Sequence, residues 1–388
     1  MTTVGYLYPW DVEGDPDAVD RVRAVGTDAI ALAAAYHSTR AATPLHPAHR
    51  LVNAEHAALY LPVRQKAWRG RGLVPRQPHW MRAADPYGRA RDLLRGLPVH
   101  AWTVVTHNSA LGRAHPQLTV RNAFGDAYEY ALCPAAEQVA EYAETLVGEV
   151  VALAQSEGVV LEACGPLGVD HGGHHDKTEF AQWTPLQRQL LSLCFCRACR
   201  ARHAAAGLDS AELAARVRAA CSPGAPLHQD VTEVLGEQAD AVRAERTALT
   251  AGFRRRAIAA ARTTQPGVRI TVHASPDPWA TGAFSTVADD AGPAADALVG
   301  TCWDGIDAGA ATVAALRERA VPGTGIGGYL RHDRLGPAPA AATAGRLAAA
   351  GATELHLYHL GLAGTEGLAA LTALTTTARN LRVEPSAD

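Results

Sequence analysis

Short apolar runs alternate along the chain with longer segments that have helical periodicity. Runs that are apolar on both faces are typical of parallel strands covered by helices on both sides. Eight such units, rather than five or six, favour a closed barrel over an open doubly wound sheet. The sequence therefore predicts an α/β protein with the (β/α)8 TIM barrel fold. The predicted strands cover residues 4–8, 29–36, 99–106, 159–164, 268–274, 298–303, 324–329 and 354–360.

Several predicted helices begin at recognisable signals. Asp15-Pro16-Asp17 starts the first helix, because proline suits an opening helical turn. Further helices are predicted over 134–154, from Thr184-Pro185 onwards, over 229–262, and after Gly364-Thr365.

Three connections are longer than a barrel needs. They cover residues 38–80, 107–133 and 165–228, after the second, third and fourth strands. Barrel enzymes build their sites from the loops that follow the carboxyl ends of the strands, so this placement points to function. No internal repeat or low-complexity linker divides the chain. We predict one catalytic barrel domain over 1–380 and a C-terminal tail over 381–388.

The composition of the chain argues against nucleic acid and membranes as binding partners. The chain has 388 residues, 48% of them hydrophobic, with a mean hydropathy of -0.07. A net charge of -3 gives no general attraction to nucleic acid or to anionic membranes. No apolar run reaches the roughly 18–20 residues that span a bilayer. The chain enters its first strand without a basic leader, so we expect a cytoplasmic protein.

The cysteines suggest a metal site. Cys194, Cys196 and Cys199 place three thiols within six residues, and thiolates suit the tetrahedral preference of Zn²⁺. Cys133 is the candidate fourth ligand of a structural zinc site, since the loops after strands three and four are neighbours. The alternative is a group of reduced thiols that bind nothing. The remaining cysteines are interpreted as small apolar residues, namely Cys164, Cys221 and Cys302.

Cys133-Pro134 after strand three, followed by C-x-C-x-x-C after strand four, resembles the β-galactosidases of glycoside hydrolase family 42. The likeness covers about residues 97–205. It implies a (β/α)8 barrel, a carbohydrate substrate, an acid/base glutamate at the end of strand four and, as in some members, a four-cysteine zinc cluster. It also implies that the chain could form a homo-oligomer.

Glu162 matches that acid/base glutamate, while Leu161 replaces the asparagine that precedes it in the family. A carboxyl group on an apolar barrel strand is costly to bury unless it is paired or functional. We expect burial to raise the pKa of Glu162, which would suit a proton donor to a glycosidic oxygen. The alternative is a structural carboxylate paired with an arginine inside the barrel.

The second catalytic carboxylate of the family has no counterpart at the same position in this sequence. Retaining enzymes of this clan carry an acid at the end of strand seven, but this strand reads Gly325-Ile326-Gly327-Gly328-Tyr329. Asp304 after strand six is the first candidate, and Asp277 after strand five is the second. A carboxylate separation of about 6.5–9.5 Å would suit inversion through an activated water.

Polar and aromatic side chains follow several other predicted strands, where they could bind a sugar. The candidates are Tyr36, His37, Arg40, His107, Asn108, His273, Trp279, Trp303, Tyr329, Tyr358 and His359. The segment 170–177 adds His171, His174, His175 and Lys177, which could line a sugar site or hold a second metal.

The leading hypothesis is a glycoside hydrolase that cleaves an oligosaccharide or glycoside by general acid/base catalysis. One alternative is a metal-dependent sugar isomerase, epimerase or aldolase on the same barrel. Another is a carbohydrate-binding barrel without catalysis, which the missing acid on strand seven makes credible.

Overall fold

The computed structural model describes residues 1–170, 176–288, 290, 294–335 and 337–383. Its centre is a closed barrel of eight parallel strands. In chain order these are β1 (Thr2–Leu7), β2 (Ala29–Tyr36), β3 (Val99–Val104), β4 (Gly158–Glu162), β5 (Arg269–Ser275), β6 (Ala297–Thr301), β7 (Gly325–Arg331) and β8 (Glu354–Tyr358).

Each strand pairs with its sequence neighbour, and β1 closes the ring by pairing with both β2 and β8. Val4 is in register with Ala29 on one side, and Thr2 with Glu354 on the other. The predicted TIM barrel is therefore confirmed. Each of the eight predicted strand segments overlaps a barrel strand, with differences only at the ends.

Helices lie in the connections between the strands and after the last strand. They are α1 (Ala18–Val25), α2 (Gln65–Trp68), α3 (Pro86–Leu93), α4 (Ser109–Ala114), α5 (Glu137–Ala154), α6 (Pro185–Leu191), α7 (Arg197–Ala205), α8 (Ser210–Ala220), α9 (Val231–Leu235), α10 (Ala239–Thr264), α11 (Ile306–Arg319), α12 (Pro337–Ala349) and α13 (Thr365–Val383). The connection from β5 to β6 has no helix among its described residues. None of the helices in the described part of the chain is long and apolar enough to cross a membrane.

The helix predicted over 229–262 is two helices. Gly236 follows α9 with a φ of 58°, a left-handed conformation that glycine adopts without steric cost, and α10 begins shortly afterwards. The start predicted at Thr184-Pro185 agrees with α6, where the Thr184 hydroxyl accepts a hydrogen bond from the amide of Gln187.

The long connections carry their own structure. After β2, the strands Thr39–Ala42 and Leu51–Ala54 form a hairpin, and after β3 a second hairpin pairs Thr119–Arg121 with Ala127–Leu132. The connection after β4 contains α6 to α9, which bury a small apolar cluster of their own around Leu190, Leu213 and Leu235. The division into a domain over 1–380 and a tail over 381–388 stays a prediction.

Candidate active site and metal centre

Glu162 is the last residue of β4 and is only 5% exposed. The indole nitrogen Nε1 of Trp102, on β3, donates a hydrogen bond of 2.7 Å to its Oε2. Nδ1 of His273, on β5, lies 3.4 Å from the same oxygen, which makes this a charge contact rather than a well-directed hydrogen bond. Two neighbouring strands thus hold one carboxylate at the carboxyl end of the barrel.

The pKa of Glu162 is lowered below its usual value. Burial raises the pKa, but the close contact and charge of His273, the charge of His37 and the hydrogen bond from Trp102 together outweigh it. The expectation that the site would raise this pKa is therefore wrong. Glu162 is held as a carboxylate, which disfavours the resting proton-donor role expected from the sequence.

Aromatic rings surround this carboxylate. The ring of Trp102 lies 4.9 Å from that of Tyr6 and 4.5 Å from that of Tyr36, centroid to centroid. Tyr329 continues the shell at 5.0 Å from Tyr6 and 5.5 Å from Tyr358. Burial keeps the pKa values of these tyrosines above 10, so their hydroxyls stay protonated at neutral pH.

The outer edge of the shell is partly open to solvent. His37, Trp303 and Tyr358 are half-buried. The guanidinium of Arg331 lies 5.3 Å from the centre of a Trp303 ring. These residues combine flat apolar faces with polar edges, which is the surface that a sugar ring requires.

Two further predicted histidines are stacked inside this shell. His107 is buried and packs on His37, with ring centroids 4.3 Å apart. His359 is fully buried and stacks on Tyr8 at 4.3 Å.

Other predicted site residues lie elsewhere. The Asn108 side chain accepts a hydrogen bond from the amide of Leu111 and so caps α4. Arg40 is exposed on the first hairpin, and Lys177 is exposed with its ammonium 5.9 Å from the ring centre of Phe180. His171, His174 and His175 lie outside the described residues.

Neither candidate second carboxylate is buried. Asp304 is exposed in the loop after β6. Asp277 is also exposed, and its Oδ1 accepts a hydrogen bond of 2.9 Å from the amide of half-buried Trp279, which stabilises the turn after β5.

Several residues that line the inside of the barrel were not predicted from the sequence. Tyr6 and Trp102 fill its centre, and His356 lies on β8 between Glu354 and Tyr358. Polar residues at every second position of β8 were the available signal, because alternate side chains of a barrel strand point inwards.

Asp11 is a second buried carboxyl group at this end of the barrel. Its Oδ2 accepts a hydrogen bond of 2.7 Å from the amide of Tyr8, and His359 Nδ1 lies 3.8 Å away. Burial raises its pKa to about 8, and the Tyr8 hydrogen bond only partly offsets this effect. Asp11 is therefore mostly protonated at neutral pH.

Four cysteines come together beside the barrel. The sulfur of Cys133 lies 3.8 Å from that of Cys194 and 3.6 Å from those of Cys196 and Cys199. A tetrahedral zinc with bonds of about 2.3 Å places its sulfur ligands about 3.8 Å apart. The group thus has the dimensions of a four-thiolate metal site, and it could hold a metal ion.

Backbone groups complete this cluster. The amides of Arg121 and Cys196 each lie 3.4 Å from the Cys194 sulfur and donate to it, as suits a thiolate ligand. Cys133 follows the hairpin after β3, while Cys196 caps α7 in the connection after β4. An ion bound here would join the loops after β3 and β4, next to the strand that carries Glu162.

Comparison with known proteins gives a likeness of fold. No protein-family model and no curated protein sequence matches the chain. Among solved structures, it is similar to the glycoside hydrolase domain of PgaB (BpsB) from Bordetella bronchiseptica, with a TM-score of 0.59, 14% identity, and coverage of 97% of this chain and 99% of that one.

Two larger proteins also contain a similar barrel. α-L-fucosidase isoenzyme 2 from Paenibacillus thiaminolyticus matches with a TM-score of 0.58 and 13% identity, over 98% of this chain and 49% of that one. A β-galactosidase from the psychrophilic Marinomonas ef1 matches with a TM-score of 0.54 and 12% identity, over 99% of this chain and 60% of that one. The chain thus spans about half the length of the fucosidase. At these identities, the matches establish the barrel fold.

Proposed function

We propose that this protein is a glycoside hydrolase whose site lies around Glu162. The observation that carries the proposal is a buried, ionised carboxylate at the carboxyl end of β4, held by Trp102 and His273 and enclosed by aromatic rings. A fixed negative charge in an apolar surrounding stabilises the positive charge that develops on a sugar during glycosidic cleavage. The barrels that it resembles include one named as a glycoside hydrolase domain and others named as an α-L-fucosidase and a β-galactosidase.

The ionised state assigns a role to Glu162. It would face the anomeric carbon from the side opposite the leaving group, either as a nucleophile or as a base for a water molecule. The proton for the leaving oxygen would come from a different group, for which Asp304 and then Asp277 remain the candidates. Half-buried Trp303, Tyr358 and His37 would contact the sugar.

We further propose that Cys133, Cys194, Cys196 and Cys199 hold a structural zinc ion. Four thiolates close a tetrahedral site and leave no open position for a substrate. The ion would fix the loops after β3 and β4 and would take no part in the chemistry.

A panel of aryl glycosides and oligosaccharides, assayed for released sugar, tests this proposal. The wild-type protein should hydrolyse at least one class of glycoside. Glu162→Gln preserves the size of the side chain but removes its charge, and it should reduce kcat by about 10²–10⁴-fold or more. Glu149→Gln is the matched control, because Glu149 is also a buried carboxylate but pairs with Arg64 outside the barrel mouth. This control should retain full activity.

The alternatives give different results in the same assay. Sugar binding without turnover, unchanged by Glu162→Gln, would indicate a carbohydrate-binding barrel. Interconversion of free sugars that stops on chelation would indicate the metal-dependent isomerase class. Equal hydrolysis by wild type and Glu162→Gln would refute the assigned role of Glu162.

A further inference from the structure

A chain of hydrogen-bonding side chains connects the two ends of the barrel. The hydroxyl of Tyr6 lies 2.9 Å from Nε2 of His273 and 2.9 Å from Nδ1 of His356. On one side, His273 contacts Glu162, the last residue of β4. On the other, Nε2 of His356 lies 3.1 Å from Oε2 of Glu354, the first residue of β8. We call these five residues the axial chain; each of them is at most 6% exposed.

The number of protons in the axial chain is constrained by its geometry. Three of the four links are hydrogen bonds, and the fourth is the 3.4 Å contact between His273 Nδ1 and Glu162. Each link needs one hydrogen between its two heavy atoms, because two lone pairs would otherwise face each other. Two ionised carboxylates supply none, whereas one phenol and two neutral imidazoles supply one each. With neutral histidines, one link would therefore bring two lone pairs together in a buried site, which is costly.

The missing proton belongs on a histidine. Burial, followed by the charges of Glu162 and Glu354, raises the pKa of Tyr6 well above 10, so its phenol keeps its proton and supplies no second one. The pKa of Glu354 is lowered despite its burial, because the hydrogen bond and charge of His356 and the charge of Arg269 favour the carboxylate. Glu162 is ionised in the same way. An imidazolium at His273 or His356 is the remaining way to satisfy all four links.

We propose that the axial chain holds one excess proton, shared between His273 and His356 through the hydroxyl of Tyr6. In one state His273 is the imidazolium, and Tyr6 donates its hydrogen to His356. In the other state, Nε2 of His273 has passed its proton to the Tyr6 oxygen, while the original Tyr6 proton has passed to Nδ1 of His356. One N–H and one O–H bond break, one of each forms, and the total charge is unchanged.

The surrounding charges decide which state prevails. At the Glu354 end of the axial chain, Arg269 forms an ion pair with Glu354. This ion pair weakens the attraction of Glu354 for a proton on His356. Burial and the nearby positive charges lower the pKa of His356, although Glu354 opposes them. His100 also lies here, and burial together with the charge of Arg269 lowers its pKa to about 4, so it is neutral. These charges and this burial therefore disfavour the excess proton on His356.

At the Glu162 end, the axial chain is bordered by aromatic rings, whereas the Glu354 end is bordered by an ion pair. Tyr329 and Phe284 pack on His273 with centroids 4.9 Å and 4.8 Å away, and Tyr358 lies 6.4 Å from Tyr6. His37, directly after β2, adds positive charge near Glu162 and favours its ionised form. When the excess proton is on His273, Glu162 faces an imidazolium, and the axial chain acts as a positioning device that sets the charge at the candidate active site.

The test counts protons and needs no substrate, so its outcome is independent of the proposed hydrolase activity. The full chain is labelled with ¹⁵N-histidine, and long-range ¹H–¹⁵N spectra report the tautomer and charge of each ring at neutral pH. His273→Gln and His356→Gln assign the two resonances. The two rings together should carry one excess proton. A total of none or of two would overturn the proposal.

Tyr6→Phe tests the connecting link. Without the hydroxyl, each histidine can direct a single N–H at its own carboxylate, so the excess proton should be lost and both rings should become neutral. His203 is the internal control, since its Nδ1 lies 2.9 Å from the Ser210 hydroxyl outside the axial chain, and its signal should not change. An unchanged proton total in Tyr6→Phe would overturn the proposal.

Glu354→Gln tests the same number of protons by changing the carboxylate beside His356. It decides the question if Tyr6→Phe does not fold. The glutamine amide can donate an N–H to His356, so all four links are satisfied with neutral histidines. The excess proton should again be lost, and its retention would contradict the inference.

Discussion

The protonation of Glu162 depends on residues that are distant in sequence. Its position on an apolar strand predicts burial, and the structure agrees. Burial alone would favour the neutral acid, but Trp102 and His273 reach the carboxylate from the strands on either side. The direction of the pKa shift could not be predicted, because it depends on which side chains of neighbouring strands share one height in the barrel.

The burial of Asp11 can be tested through the pH dependence of the free energy of unfolding. Its pKa is about 8 in the folded protein and near 3.9 when unfolded, so the folded state holds more protons between these values. Asp11 therefore makes the free energy of unfolding fall as pH rises through this window, by up to about 1.4 kcal/mol per pH unit.

Asp11→Asn removes this titration. Urea unfolding at several pH values should show the variant gaining stability relative to wild type as pH rises from 5 to 8. Asp304→Asn, at an exposed aspartate, controls for the loss of one negative charge. A constant difference between Asp11→Asn and wild type across this range would show that Asp11 is ionised in the fold.

At the scale of elements, the apolar pattern predicted the positions of the strands but not the contacts of their inward-facing residues. All eight barrel strands were predicted, because apolar runs bounded by helices indicate parallel strands. The helix break at Gly236 was not predicted, since a single glycine is also compatible with a continuous helix. The inward alternation of Glu354, His356 and Tyr358 was present in the sequence, but their partners lie on other strands.

Gly327 on β7 provides space for the side chain of His356 on β8. A Cβ atom there would lie 2.9 Å from Cδ2 of His356 and 2.9 Å from Cγ2 of Val299. Gly327→Ala should therefore lower the free energy of unfolding by about 1–3 kcal/mol, measured by chemical denaturation.

Gly345→Ala is the matched control. Gly345 lies within α12, and nothing would contact an added Cβ within 4 Å. This variant should be neutral or stabilised by up to about 1 kcal/mol, because alanine is the better helix former. Equal stabilities of the two variants would mean that β7 and β8 are not packed as described.

At the scale of the whole molecule, the barrel brings together residues that are far apart in the chain. Tyr36, His273, Tyr329 and Tyr358 were predicted to share one site because they end different strands, and the structure places them in one connected shell. Arg40 and Asn108 met the same criterion but belong to a hairpin and a helix cap. Position after a strand therefore identifies the correct face of the barrel, but not which side chains turn inwards.

The cysteine cluster joins two loops across this face, so metal loss should affect the molecule as a unit. The purified protein should contain about one zinc ion per chain. Cys133→Ser should lose that ion and melt at a lower temperature, because metal binding and folding are coupled. Cys221→Ser, at a half-buried cysteine outside the cluster, should keep both the metal content and the melting temperature. Full metal content in Cys133→Ser would contradict the four-cysteine site.

The role of Glu162 is tested most directly by chemical rescue. Glu162→Ala is supplied with azide and an aryl glycoside whose leaving group needs no protonation. If Glu162 works as an ionised carboxylate opposite the leaving group, azide can occupy its place and form a glycosyl azide of inverted anomeric configuration. We expect that product. A glycosyl azide of retained configuration would contradict it, because Glu162 would then be the proton donor.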